Sequence, residues 1–140
     1  MKLEENQQTH SSKVLDVPTA KMPHIQLPEN LGIRYAVLPG DPARAERAAG
    51  YLKDAKLLTF NREYKSYSGF WNGVPVLVMS TGMGGPSMAI AVEELQKIGV
   101  EAAVRIGSCG ALQPDAGVGG LLHPDGHHDA GRVRHLGRQA

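Results

Sequence analysis

Three short apolar runs, each stopping at a glycine-rich loop, constrain this chain more than any other feature. Tyr35 to Leu38 ends in Pro39-Gly40, the run of Val74, Val76, Leu77 and Val78 leads into Thr81-Gly82-Met83-Gly84-Gly85-Pro86, and Ala102 to Ile106 ends in Gly107-Ser108-Cys109-Gly110. An apolar run that halts at a tight glycine loop reads as a buried strand, and two of the three loops lead into helical periodicity. Asp41 is placed to cap the first helix and Pro42 suits its first turn, with Ala45, Ala48, Ala49 and Leu52 on one face. Met88, Ala91, Val92 and Leu95 mark the second helix, closed by Gly99. Between the two units, Tyr64 to Ser80 reads as strands turned at Asn72-Gly73, the strongest hairpin signal in the chain. Strands alternating with helices predict an α/β sheet with its site at the strands' carboxyl ends.

The 140 residues suffice for one modest core. Residues 1–22 are polar and aperiodic and read as a flexible leader. Residues 120–140 hold most of the histidines but too few apolar residues to bury a face, and are expected to be disordered. A formal charge of +1 gives no field suited to nucleic acid or an anionic membrane, so a small-molecule partner is expected. No apolar run approaches the roughly 18 residues of a membrane span, and the polar start predicts a cytoplasmic location. The single cysteine, Cys109, fits a reducing compartment and reads as a packing residue rather than a nucleophile.

Glycine at a strand end lets backbone N–H groups close on an anion, and a following helix start adds its positive dipole end. Gly40 and the Gly107 to Gly110 loop have that form, although Pro-Gly-Asp-Pro is also an ordinary turn. Arg105 is embedded in an otherwise apolar strand, where an unpaired guanidinium is costly; it needs an anion, or an ion pair with a glutamate such as Glu93 or Glu94. Arg44, one turn into the first helix, is either an anion ligand or part of a solvated face with Glu46 and Arg47. The planar fork of arginine matches phosphate, and Ser108 adds a hydroxyl donor. No glycine loop is followed by Lys-Ser or Lys-Thr, and no carboxylate pair suggests magnesium, which disfavours kinase-type or hydrolytic phosphoryl transfer.

Four blocks, Leu38-Pro39-Gly40-Asp41-Pro42-Ala43-Arg44, Asn61-Arg62-Glu63-Tyr64, Ser80 to Ser87, and Arg105 to Ala111, resemble the bacterial uridine and purine nucleoside phosphorylases in order and spacing. The resemblance spans residues 23–119 and implies an α/β sandwich with a central mixed β-sheet, here incomplete on its C-terminal side. It also implies a hexamer assembled from dimers. By that resemblance Gly40, Arg44, Arg105 and Ser108 bind phosphate, and Arg62 reaches the phosphate of a neighbouring subunit. His24, in Pro23-His24-Ile25, crosses the dimer interface toward ribose; on its own it reads as a surface or core histidine, and only the flanking motif reverses that. Met83 and Gly84 line the nucleoside side of the pocket. The implied reaction is phosphorolysis of a ribonucleoside to free base and ribose 1-phosphate, with inorganic phosphate as co-substrate, no cofactor and no metal ligand among the site residues, while a monovalent cation near Glu63 and Ser87, as some relatives hold, stays open. Uridine is favoured by the stretch from Thr81 to Ser87 and by Ala91-Val92-Glu93-Glu94-Leu95. Pro23-His24-Ile25 and Gly107-Ser108-Cys109-Gly110 keep purine nucleosides open as the alternative. A non-catalytic phosphate-binding or subunit-interaction fragment is the reading of a different class.

The family's base-binding and ribose-holding groups belong to its second half, so the remaining catalytic groups are expected there and little or no turnover is expected here. After Gly119 the pattern is lost in His123-Pro124-Asp125-Gly126-His127-His128-Asp129. A frame shift near Leu122 accounts for this: deleting one nucleotide before the His123 codon of a GC-rich gene can give Ile-Pro-Thr-Ala-Thr-Met-Thr, a plausible strand and loop. A metal site at the histidine cluster is the weaker reading, since the sequence predicts no helix or strand to fix its ligands.

Overall fold

The computed structural model describes residues 20–110 and 118–121. Most of the leader and most of the histidine-rich tail therefore lie outside the described residues. The elements are β1 (Tyr35–Pro39), α1 (Pro42–Ala49), β2 (Lys53–Asn61), β3 (Tyr64–Trp71), β4 (Val74–Met79), α2 (Gly85–Lys97) and β5 (Ala102–Ile106). They form one mixed sheet in the order β2-β3-β4-β1-β5. β1 runs parallel to β4 and to β5, whereas β2, β3 and β4 form an antiparallel meander. The parallel strands β4, β1 and β5 therefore deliver their carboxyl ends to one edge, which is where a ligand site is expected in such a sheet.

Local chemistry accounts for each turn into and out of these elements. The Asp41 carboxylate accepts from the Arg44 amide at 3.2 Å and caps α1, with Pro42 in the first turn. The helix stops at Ala49, so Leu52 is not on its apolar face; Leu52 instead packs against β3, where a Cβ on Gly69 would come within 2.7 Å of its Cβ. Asn72 and Gly73 both take positive φ, 49° and 80°, the conformation a two-residue hairpin turn requires between β3 and β4. β2 has no counterpart in the sequence reading. Two register irregularities interrupt its pairing with β3, and its exposed Leu57, Leu58 and Phe60 do not alternate in the manner of a half-buried strand.

The middle of the sheet is covered on both faces. Ala45 and Ala49 are the buried residues of α1, and Ala48 looks onto Val37, Val76 and Val78. The opposite face presents Ala36, Leu38, Leu77 and Met79 to Ala91 and Leu95 of α2. Met22, Ile25 and Leu27 complete that core, and a bridge between Lys21 and Pro28 closes their segment, so Lys21 and Met22, grouped with the leader by composition, are part of the fold. Each fully buried aliphatic side chain contributes about 1.5–3 kcal/mol. β5 is different: every residue of it is exposed, because it forms the sheet edge and no described element packs on it.

Candidate functional site

The loops after β1 and β4 are laced together. The Thr81 amide donates to the Pro39 carbonyl at 3.0 Å and the Gly82 amide to the Gly40 carbonyl at 2.8 Å, continuing the parallel pairing beyond the strands. Gly82 has φ 70°, and a Cβ there would lie 2.8 Å from the Glu63 side chain, so only glycine lets the two loops and Glu63 meet. The result is a cleft of about 580 Å³ lined by Gly40, Arg44, Glu63, Met83, Arg105 and Ser108, together with the flanking loop backbone.

Both arginines of the cleft are exposed, and neither forms an ion pair with a carboxylate among the described residues. Arg105, which its apolar neighbours mark as embedded and in need of a compensating charge, lies instead on the exposed edge strand β5. Its guanidinium reaches solvent, and the postulated partner Glu94 is engaged elsewhere. The guanidinium instead lies over the two loops. A Cβ on Gly40 would be 3.3 Å from its Nη2, and a Cβ on Gly107 would collide with Nη1. Arg44 Nη2 donates to Ser108 Oγ at 3.4 Å, which brings the first helix and the third glycine loop to the same point. Two guanidinium groups, a hydroxyl and glycine backbone thus converge without a paired carboxylate. Such a donor set suits a tetrahedral oxyanion.

Of the residues singled out by sequence, Gly40, Arg44, Met83, Arg105 and Ser108 line this cleft. Gly84 adjoins it as the N-cap of α2. His24 and Arg62 do not line it. They lie near each other, since Asn61, the neighbour of Arg62, donates from Nδ2 to the His24 carbonyl at 2.7 Å. Glu63, singled out in the sequence only with Ser87 and a monovalent cation, forms a wall of the cleft, a role that its place between two strands beside Arg62 could have signalled. No group of three metal-ligating side chains occurs among the described residues.

His24 is held by Glu94 of α2. The carboxylate accepts from the Ile25 amide at 2.9 Å and the His24 amide at 3.1 Å, and contacts His24 Nδ1 at 2.5 Å. Burial pushes the Glu94 carboxyl up, but the Ile25 amide, the His24 ring and the His24 amide outweigh it and leave it below the ordinary glutamate value. A depressed folded-state value stabilises the fold above the unfolded glutamate range, and that contribution is lost as pH falls through the folded value. Urea denaturation followed from neutral to acidic pH is expected to show a loss of stability that Glu94→Gln flattens. An unchanged acid limb in the variant would disprove it.

The sequence pattern of the phosphorylase superfamily matches residues 34–139. The chain belongs to that superfamily. The span takes in residues beyond Gly119, where the resemblance drawn from motifs ended. Similar proteins include a guanosine phosphorylase of Halorubrum lacusprofundi, 46 % identical over 103 residues, which cover 74 % of this chain and 43 % of the relative. A uridine phosphorylase of Haemophilus influenzae is 50 % identical over 91 residues, covering 65 % of this chain and 36 % of the relative. Among solved structures, the uridine phosphorylase of Vibrio fischeri superposes with a TM-score of 0.65 at 40 % identity, over 67 % of this chain and 39 % of that one. Purine nucleoside phosphorylase of Toxoplasma gondii, crystallised with immucillin-H, gives 0.65 at 37 % identity over 67 % and 38 %. The mixed sheet with its two helices is therefore a phosphorylase-like α/β fold. The chain spans less than half the length of the relatives it matches.

Proposed function

We propose that this chain carries the phosphate-binding part of a nucleoside phosphorylase that acts on uridine. The observation that supports this is the convergence of Arg44, Arg105, Ser108 and Gly40 on one cleft with no carboxylate among the described residues paired to either arginine. In the reaction, a phosphate oxygen bonds to the anomeric carbon as the bond from that carbon to the base nitrogen breaks. The base leaves with the electron pair and takes up a proton. Two cations that hold the dianion in line with a carbon of rising positive character serve that step, and no side chain need act as nucleophile. Met83, 95 % exposed at the rim, and Gly84 fall on the nucleoside side in this reading.

His24 and Arg62, which stand apart from this cleft, are assigned to the ribose and phosphate of a neighbouring subunit's site. This favours a dimer-based homo-oligomer, a hexamer in the complete enzyme. Inorganic phosphate is the co-substrate, and no cofactor is invoked. A cytoplasmic location suits such an enzyme; no helix among the described residues is long and apolar enough to cross a membrane. Guanosine phosphorylase and purine nucleoside phosphorylase among the relatives give the second reading, a purine nucleoside as substrate.

The 140-residue chain is expected to bind inorganic phosphate but to release no base. A version with the frame shifted back before His123 is expected to release uracil from uridine in a phosphate-dependent way, faster than hypoxanthine from inosine. Faster release of hypoxanthine would move the assignment to purines. Failure of the chain to bind phosphate, with no turnover by the longer version, would defeat the proposal.

A further inference from the structure

Glu94 is an odd residue for the apolar face of a helix. Its side chain is only 7 % exposed, yet every acceptor contact it makes is to the short segment that precedes β1. The His24 side chain beside it is 43 % exposed, so one edge of the ring faces the carboxylate and the other faces out of the fold. Asn61 fixes the backbone at the same point through the His24 carbonyl. Nε2 of His24 has no hydrogen-bond partner among the described residues.

We propose that Glu94 is a positioning residue, which holds the His24 imidazole as the Nδ1–H tautomer and turns Nε2 outward as a hydrogen-bond acceptor for a ligand hydroxyl. An ionised carboxylate can only accept, so the ring nitrogen facing it must carry the proton, and in a neutral ring the second nitrogen is left bare. The two amides on the same carboxylate prevent it from rotating away, and Asn61 prevents the histidine backbone from shifting. A bare outward nitrogen suits a donor such as a sugar hydroxyl. That use rests on the nucleoside reading above, whereas the tautomer does not.

The test is a long-range proton–nitrogen correlation spectrum of the 140-residue chain at a pH where the ring is neutral. The native chain is expected to show His24 with a protonated Nδ1 and a bare Nε2. Glu94→Gln is expected to reverse this, since the amide oxygen takes the backbone donors and the amide NH2 then faces Nδ1, which must accept. Predominant Nε2–H in the native chain overturns the proposal, as does a variant that keeps the native tautomer; if the variant does not fold, the native spectrum decides alone. Native Nδ1–H in a chain that binds no phosphate, with no turnover by the longer version, would defeat the nucleoside reading and leave the positioning role intact.

Discussion

Replacing Arg105 with methionine is expected to weaken the binding of inorganic phosphate by roughly 10- to 100-fold, with the fold unchanged. A hydrogen bond to a charged group is worth about 1.5–3 kcal/mol, and each 1.4 kcal/mol is tenfold in affinity. The fold should tolerate the change because Arg105 is exposed on the edge strand and forms no ion pair among the described residues. Arg105→Lys keeps the charge and loses the planar fork, so an intermediate loss is expected. Arg44→Met should act similarly, and the double variant should lose less than the two single losses combined if both guanidiniums grip one anion. Titration calorimetry in a buffer free of sulfate and phosphate reads all four. Native-like affinity in Arg105→Met would show that the cleft does not hold phosphate through this residue.

The same residue shows where the sequence could be read and where it could not. The halting of each apolar run at glycine located β1, β4 and β5, and the motifs named five of the residues that meet in the cleft. Asn72-Gly73 located the hairpin because a two-residue turn demands positive φ at both positions. Burial was not legible. An arginine inside Ala-Ala-Val-Arg-Ile reads as embedded, but whether a strand is central or at an edge depends on what pairs with it, which lies far away in sequence. β2 was missed for a related reason. Its apolar residues point into solvent and its pairing is broken by bulges, so neither period of burial is written into it. Glu94 resembled a candidate partner for Arg105 because it is acidic and on the neighbouring helix. Its real contacts are with residues about seventy positions earlier.

Leu38 and Val104 make the distinction measurable, since each belongs to an apolar strand that ends in a glycine loop and they look alike in sequence. Leu38 is fully buried on β1, which is paired on both sides, by β4 and β5, and lies beneath α2; Val104, on β5, is 62 % exposed. Leu38→Ala removes buried atoms and leaves a cavity, a change that costs about 2–5 kcal/mol in well-packed cores. Domains of this size have total stabilities from about 5 kcal/mol upward, and a sheet whose two edge strands are both exposed is expected near the lower end. The variant should therefore be largely unfolded under mild conditions, with its urea midpoint lowered by roughly 1–5 M for a slope of about 1–2 kcal/mol/M. Val104→Ala removes little buried surface and should cost no more than about 1 kcal/mol, the span of strand propensity itself. Paired urea denaturation of the two variants gives the comparison. Equal losses would mean that β5 is covered in solution, by a second copy or by residues outside the described part, and the exposed edge would then be an interface rather than a margin.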